Sequence, residues 1–462
     1  MKSTWVAWVG GLSFLLLFLF AVLFYQERII IFDPAFHLFS IVRTGDFAIQ
    51  NYRFGAFFTQ LFPLLAIKLA LPLKQVMMAY SVSFVVLDAV LFWLLLKAFR
   101  QPVFALVFLL NSVLMVNETF YWIQSELKQG LSFLIFYLGF LQSVFNRGNA
   151  SWHLPIHALM LCILAFIHPL VIFPFLFGLG LFGFREKDKP QRQVIISAGI
   201  TFCLFYLTKV FFFKHSYDTA AMGHIGNIIK FFPAYWKIPT NKLFLKYLIN
   251  DYYFLILLFI GVLYVFLQKK QYAVLVWFFC FFVGYLLLIN TSYPEPANLR
   301  HFYLEHLYLP LGAMTLLALV YIGVFDHMTT WGWAGILVFF VVRLSHIGIH
   351  HQYFTDKLAW QRQFLHAQKT DKIIYSEKDV PEAQKLIYTW GSAEEFWLLS
   401  TLELGETRSI GIFDDPEGQR WAIGKADRFI TKFQVFDYAD LPTRYFLFKD
   451  TTSPYTIYTP PQ

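Results

Sequence analysis

The sequence predicts an α-helical polytopic membrane protein with a small C-terminal α/β domain outside the membrane. Three observations predict it. The 462 residues are 58% hydrophobic and only 14% charged, more apolar surface than a soluble domain of this length buries. Apolar runs of about 20 residues, long enough to cross a bilayer, recur through the first 350 positions. After about residue 350 the composition turns polar, with ordinary amphipathic periods. Because hydrocarbon offers backbone groups no partner, such runs are helical. The 56 phenylalanines read as lipid-facing and core mass.

The first run, 5–25, is too long for a signal-peptide core and ends in Phe24-Tyr25-Gln26, so it reads as an uncleaved span. Further spans are expected at 76–96, 102–117, 128–145, 153–167, 169–184, 194–213, 248–267, 272–289, 305–325 and 331–349, eleven in all. With the N-terminus in the cytoplasm, the short inner segments hold ten Lys and Arg, and their density exceeds that of the outer loops. Residues 26–75 then form the first outer loop. Its apolar stretch is interrupted by Gln60, Pro63 and Lys68, so an interfacial helix is expected there. The domains are 1–350 and 351–462, the second with one or two helices in 381–404 and short strands in 407–415, 432–440, 443–450 and 454–459. Cys162, Cys203 and Cys280 lie in apolar runs and form neither a disulfide framework nor a zinc spacing. The net charge of +8 suits anionic lipid, and no basic tract suits nucleic acid.

This topology gathers ionisable residues at one face. Asp33 follows the first span, with His37 one turn on and Arg43 and Asp46 beyond; Asp33 could also simply cap the helix that Pro34 opens. Asp46 could cap the turn at Thr44-Gly45. Glu118 and Glu126 fall at the next outer turn, where Glu126 also suits a helix N-terminus. His168-Pro169 breaks a long apolar stretch at the same face. Arg300, His301 and Tyr303 fall at a later outer turn. Each residue has an ordinary structural explanation; the convergence of four separated segments is the stronger signal. A carboxylate there suits general-base work, and Arg or His suits a phosphate. His346 and His350 are spaced to share a metal, but no acidic third ligand is near in sequence, so no metal site is expected. Asp414-Asp415-Pro416-Glu417-Gly418 reads as a turn.

The ordered outline resembles the GT-C glycosyltransferases, which use polyprenyl-phosphate-linked sugars and include protein O-mannosyltransferases and aminoarabinose transferases of lipid A. The segments that carry it lie in 1–350. DPAFH (33–37) is similar to the acidic motif opening the family's first outer loop, with Pro34 where a second acid often stands. NYRFGAFFTQLFPLLAIKLALPL looks like the interfacial helix that follows. QSELKQGLSFLIFYL (124–138) is similar to the segment with a second acid, and LRHFYLEHLYLP (299–310) to the late Arg-Tyr motif. The resemblance implies Asp33 as catalytic base and Glu126 as its assistant, with His37, Arg43, Asp46, Glu118, His168, Arg300, His301 and Tyr303 as substrate-binding candidates. It implies a polyprenyl-phosphate-sugar donor, a lipid, glycan or protein acceptor, inversion at the sugar, and a bacterial plasma-membrane setting with the C-terminal domain outside. Some members use a divalent metal and others none, so the cofactor stays open. Three alternatives remain: an inactive GT-C-like scaffold, an O-antigen ligase or polymerase, and a transporter working through Asp88 and Lys209.

Overall fold

The computed structural model describes residues 2–123, 126–147, 154–186, 188–213, 223–295, 301–326, 328–381, 389–419, 421 and 424–458. Helices dominate up to residue 367, and a small sheet follows. Six helices are long and apolar enough to cross a membrane: Ser3–Leu23, Leu73–Ala98, Lys189–Phe212, Tyr272–Ser292, His301–Ile322 and Thr330–Ala367. A seventh span results if Pro239–Asn250 and Tyr253–Gln268, bent by 94° against each other, count as one. Four apolar helices are shorter: Phe54–Lys68, Pro102–Asn111, Leu154–Ile167 and Pro169–Arg185.

In chain order, α1 (Lys2–Leu23) leads through α2 (Tyr25–Ile29) into α3 (Phe32–Thr44). Gly45, at φ 64°, ends α3; a left-handed residue after the last turn is the usual helix stop and suits only glycine without strain. Next come α4 (Phe57–Lys68), α5 (Leu73–Trp93), α6 (Pro102–Asn111), α7 (Glu126–Arg147), α8 (Leu154–Ile167), α9 (Ile172–Arg185) and α10 (Lys189–Phe212). At about 1.5 Å per residue the twelve residues of α4 reach ~18 Å, between the ten of α6 and the fourteen of α8 and α9. Then follow α11 (Asn227–Phe231), α12 (Pro239–Asn250), α13 (Tyr253–Gln268), α14 (Tyr272–Ser292), α15 (His301–Ile322) and α16 (Thr330–Ile349). Helix α17 (Gln352–Ala367) continues α16 after a turn at His350–His351. The centre of the bundle is α15, buried over nearly its whole length against α6, α7, α9, α13 and α14.

Strand β1 (Lys372–Ser376), helix α18 (Ser392–Glu403) and β2 (Ser409–Phe413) form a parallel β-α-β unit, with β5 (Thr456–Ile457) parallel on the far side of β1. Strands β3 (Arg428–Ile430) and β4 (Val435–Asp437) make a separate antiparallel pair. Expected strands in 407–415, 432–440 and 454–459 are present. The one expected in 443–450 is absent: Tyr445 and Phe446 donate their N–H groups to the Pro442 carbonyl in a turn, and Phe446 stacks on Trp397 of α18 instead. Within 381–404 the structure has α18; residues 382–388 lie outside the described residues.

This C-terminal unit packs on the chain just after the first span. Thr355 donates to Glu27 (3.1 Å), Arg362 to Gln26 (2.5 Å) and Tyr445 to the Leu71 carbonyl (3.0 Å). Helix α18 lies on α3. A Cβ on Gly391 would stand 2.5 Å from the Phe32 Cα, a contact with backbone that cannot give, so this approach requires glycine. Buried Glu395 of α18, paired with Lys357 and with Gln361 (2.7 Å), also accepts the Phe32 backbone N–H. The first turn of α3 is therefore held from the C-terminal unit.

Candidate functional site

Asp33 sits in the first turn of α3 but does not cap it: Ile31 is the N-cap, and no side chain caps the helix. The Asp33 carboxylate instead accepts 2.9 Å from the indole N–H of Trp122, which follows the turn Glu118–Phe120. Trp122 is itself wedged against Phe302, Tyr303 and His306 of α15, with ring centroids 4.9, 6.1 and 4.8 Å away. Glu126 opens α7 and pairs with Arg53 at 3.1 Å. Arg53 is carried in by the loop before α4, and Gly55 allows that approach; a Cβ there would meet Ile167 of α8 at 2.3 Å.

Asp33 keeps a partly exposed edge. Burial raises its carboxyl to about 8; the Glu126 charge adds to the rise, while the Trp122 bond and Arg53 oppose it. His37, one turn along α3, is buried, and its Nδ1 lies 3.2 Å from the Ala48 carbonyl. Burial pushes its imidazole down, which leaves it neutral. His168 accepts a hydrogen bond at Nδ1 from Leu170 N–H, so in the neutral ring its Nε2 carries the proton. Arg53, His306 and Lys209 all lie within electrostatic range of His168.

The structure thus brings Asp33, Glu126, His37 and His168 together, with Tyr303 at the rim through Trp122. It adds Arg53, Trp122, His306 and Lys209, which sequence reasoning did not place here. In the sequence Arg53 is one basic residue at the edge of an apolar stretch, and Lys209 reads as a mid-membrane charge. No local signal ties either to Asp33; both are contributed by separate loops or helices. Arg300 lies outside the described residues.

Arg43 and Asp46 do not belong to this group. Arg43 stacks over Phe436, at 4.9 Å, on the side of α3 that faces the C-terminal unit. Asp46 lies in a turn, where its carboxylate accepts from Phe47 N–H at 2.7 Å. Glu118 and His301 are also elsewhere. Glu118 accepts from Phe302 N–H (3.0 Å) at the start of α15 and faces His301 Nδ1 at 3.0 Å, so internal bonds occupy both its oxygens. Beside them, fully buried Glu305 accepts from Asn117 N–H, Thr119 N–H and Thr119 hydroxyl at 2.7, 2.9 and 2.6 Å. Asp88 lies near Lys128 and hydrogen-bonds Ser132, remote in sequence and partners from Lys209.

Chemically, the Asp33 group offers a carboxyl that burial pushes up to about 8, with the Arg53–Glu126 pair beside it. Comparison with protein-family models, curated proteins and solved structures found no match to this chain.

Proposed function

We propose that this chain is a membrane glycosyltransferase that moves a sugar from a polyprenyl-phosphate donor to an acceptor, with GT-C-like architecture and eleven spans. In this reading the N-terminus is cytoplasmic, the loop 26–75 and the C-terminal unit lie outside a bacterial plasma membrane, and α4 rests in the interface. The observation that carries the proposal is the convergence of Asp33, Glu126 and His168 from three separate segments around Arg53, which pairs with Glu126 and lies within electrostatic range of the other two, with Lys209 beside His168.

The reaction follows from these groups. The acceptor hydroxyl gives its proton to Asp33 as its oxygen bonds to the anomeric carbon. The bond from that carbon to the phosphate oxygen breaks, the configuration inverts, and polyprenyl phosphate leaves with the electron pair. A carboxyl near 8 is matched to this task, because a general base works best close to the operating pH. Arg53 and Lys209, with the His168 Nε2–H, supply positive charge and a donor for the leaving phosphate, and this electrostatic help is commonly the largest catalytic contribution. Trp122, buried among Phe302, Tyr303 and His306, fixes the orientation of the base through its indole N–H.

The test uses purified protein in proteoliposomes with polyprenyl-phosphate sugars. Asp33→Asn should insert normally and lose transfer by about 10²–10⁴-fold, the usual weight of a general base. Full transfer by this variant would overturn the assignment.

A further inference from the structure

A second constellation stands apart from the Asp33 group. Asp251 occupies the elbow between α12 and α13, where the two helices bend by 94°. His346 and His350 lie one turn apart at the C-terminal end of α16, with ring centroids 4.3 Å apart. One ligand atom from each of the three lies within 4.8 Å of the others, and all three residues are partly exposed.

These groups face one another without satisfying one another. His350 Nε2 is 3.9 Å from Asp251 Oδ1, beyond hydrogen-bond range. Each imidazole already uses its other nitrogen. His350 Nδ1 donates to the His346 carbonyl at 2.7 Å, and His346 Nδ1 is 2.9 Å from Asn117 Oδ1. Arg343 Nη1, which can only donate, stands 3.3 Å from that same His346 nitrogen; with the proton on Nδ1 and directed at the nearer Asn117 oxygen, the His346 Nε2 is left bare. Both Nε2 atoms are then unprotonated lone-pair donors. This is how metal-binding histidines are prepared: an oxygen acceptor on one nitrogen fixes the tautomer and turns the other outward.

The spacing and the charge agree. Metal bonds of about 2.0–2.1 Å in a tetrahedron put ligand atoms ~3.3 Å apart, so the 3.9 Å pair needs to close by about half an ångström, and the other pairs, within 4.8 Å, by no more than about 1.5 Å. Glu118, Glu305 and Asp251 surround His301, and against these three carboxylates stand Arg343 and the His301 imidazole that they keep charged, which leaves one net negative charge for a cation to meet. Two imidazoles and one carboxylate suit a first-row transition ion rather than magnesium or calcium.

We infer that Asp251, His346 and His350 form a binding site for one Zn²⁺-type divalent ion, which clamps the α12–α13 elbow to the end of α16. The ion keeps a fourth position open to solvent. The inference does not depend on the proposed glycosyl transfer.

Chelator-stripped full-length protein in detergent, given Zn²⁺ alone and then dialysed against a weak chelator, should retain about one equivalent by elemental analysis. His350→Gln and Asp251→Asn should each lose it, whereas His351→Ala, which changes the neighbouring imidazole, should keep it. Retention below a fifth of an equivalent by the unaltered protein, or unchanged retention in the two ligand variants, overturns the site. Should those variants aggregate, Co²⁺ added to the unaltered protein decides. Visible absorption of a four-coordinate Co²⁺ centre supports the site, and its absence overturns it.

Discussion

Asp33 and Glu305 lie at the two ends of one short stretch, residues 117–122, and the fold treats them in opposite ways. Glu305 takes three strong hydrogen bonds from Asn117 and Thr119 and lies 3.3 Å from the Tyr252 hydroxyl, wholly out of solvent. Asp33 takes one from Trp122, has a like charge nearby and keeps an exposed edge. A carboxylate saturated with donors is a fastener, and its charge is spent inside the protein. A carboxylate left short of donors is held in a state that proton exchange can change. The same acid side chain serves architecture at one end and chemistry at the other, and the count of donors separates them.

The contrast breaks most visibly under paired substitutions. Glu305→Ala should leave the Asn117 and Thr119 N–H groups buried without an acceptor. Unmet buried donors cost about 1–3 kcal/mol each, so a total of roughly 3 kcal/mol or more is expected, read as loss of folded protein in detergent melts. Asp33→Asn should do the reverse. A carboxyl raised from its ordinary value to about 8 binds its proton more tightly when folded. Its contribution is therefore fully present below the unfolded value near 4 and is lost as pH rises through about 8. The amide variant should thus match the unaltered protein in acid and melt at a higher temperature above pH 8.

Next in size is Gly391→Ala. The new methyl would press on the Phe32 backbone, and overpacking of this kind costs about 1–3 kcal/mol. Transfer activity should fall several-fold as the first turn of α3 shifts, while Gly183→Ala, which meets nothing within 4 Å, should change neither measurement. A smaller effect falls on pH dependence. Activity should rise with pH toward an inflection near 8. Trp122→Phe removes the bond that favours the charged form and should move that limb to higher pH. Glu126→Gln removes the like charge and should move it lower. Movement of both limbs in one direction would sink the electrostatic account. Smallest of all, Asp46→Ala in its exposed turn should change stability by less than about 0.5 kcal/mol and leave activity intact.

The sequence made legible what depends on runs and periods. Helical membrane architecture follows from apolar runs, and the end of α3 from Gly45. Asp33, Glu126 and His168 could be suspected because one topology puts all three at the same face. What it hid depends on contacts between distant segments. Arg53 meets Glu126 across 73 positions, and Asp251 meets His350 across almost a hundred, so no local pattern carries either pairing. Strand β1 escaped for a related reason. Lys372–Tyr375 is buried on both faces, and such a strand shows no alternation to read. The expected strand at 443–450 failed because its aromatics have the right propensity but find ring partners on α18 and β3 rather than a strand edge.

The grip of Glu395 and Gly391 on Phe32 also sets a clock. Roughly 360 residues separate the two ends of that contact, and at about 5–20 residues per second a ribosome needs ~20–70 s to make the second after the first. Through that interval the spans can insert and pack, while the first turn of α3 waits for its last support. A nascent chain would therefore hold its carboxylate, its tryptophan and its cations already in place, yet acquire the finished arrangement only once Gly391 and Glu395 have been made.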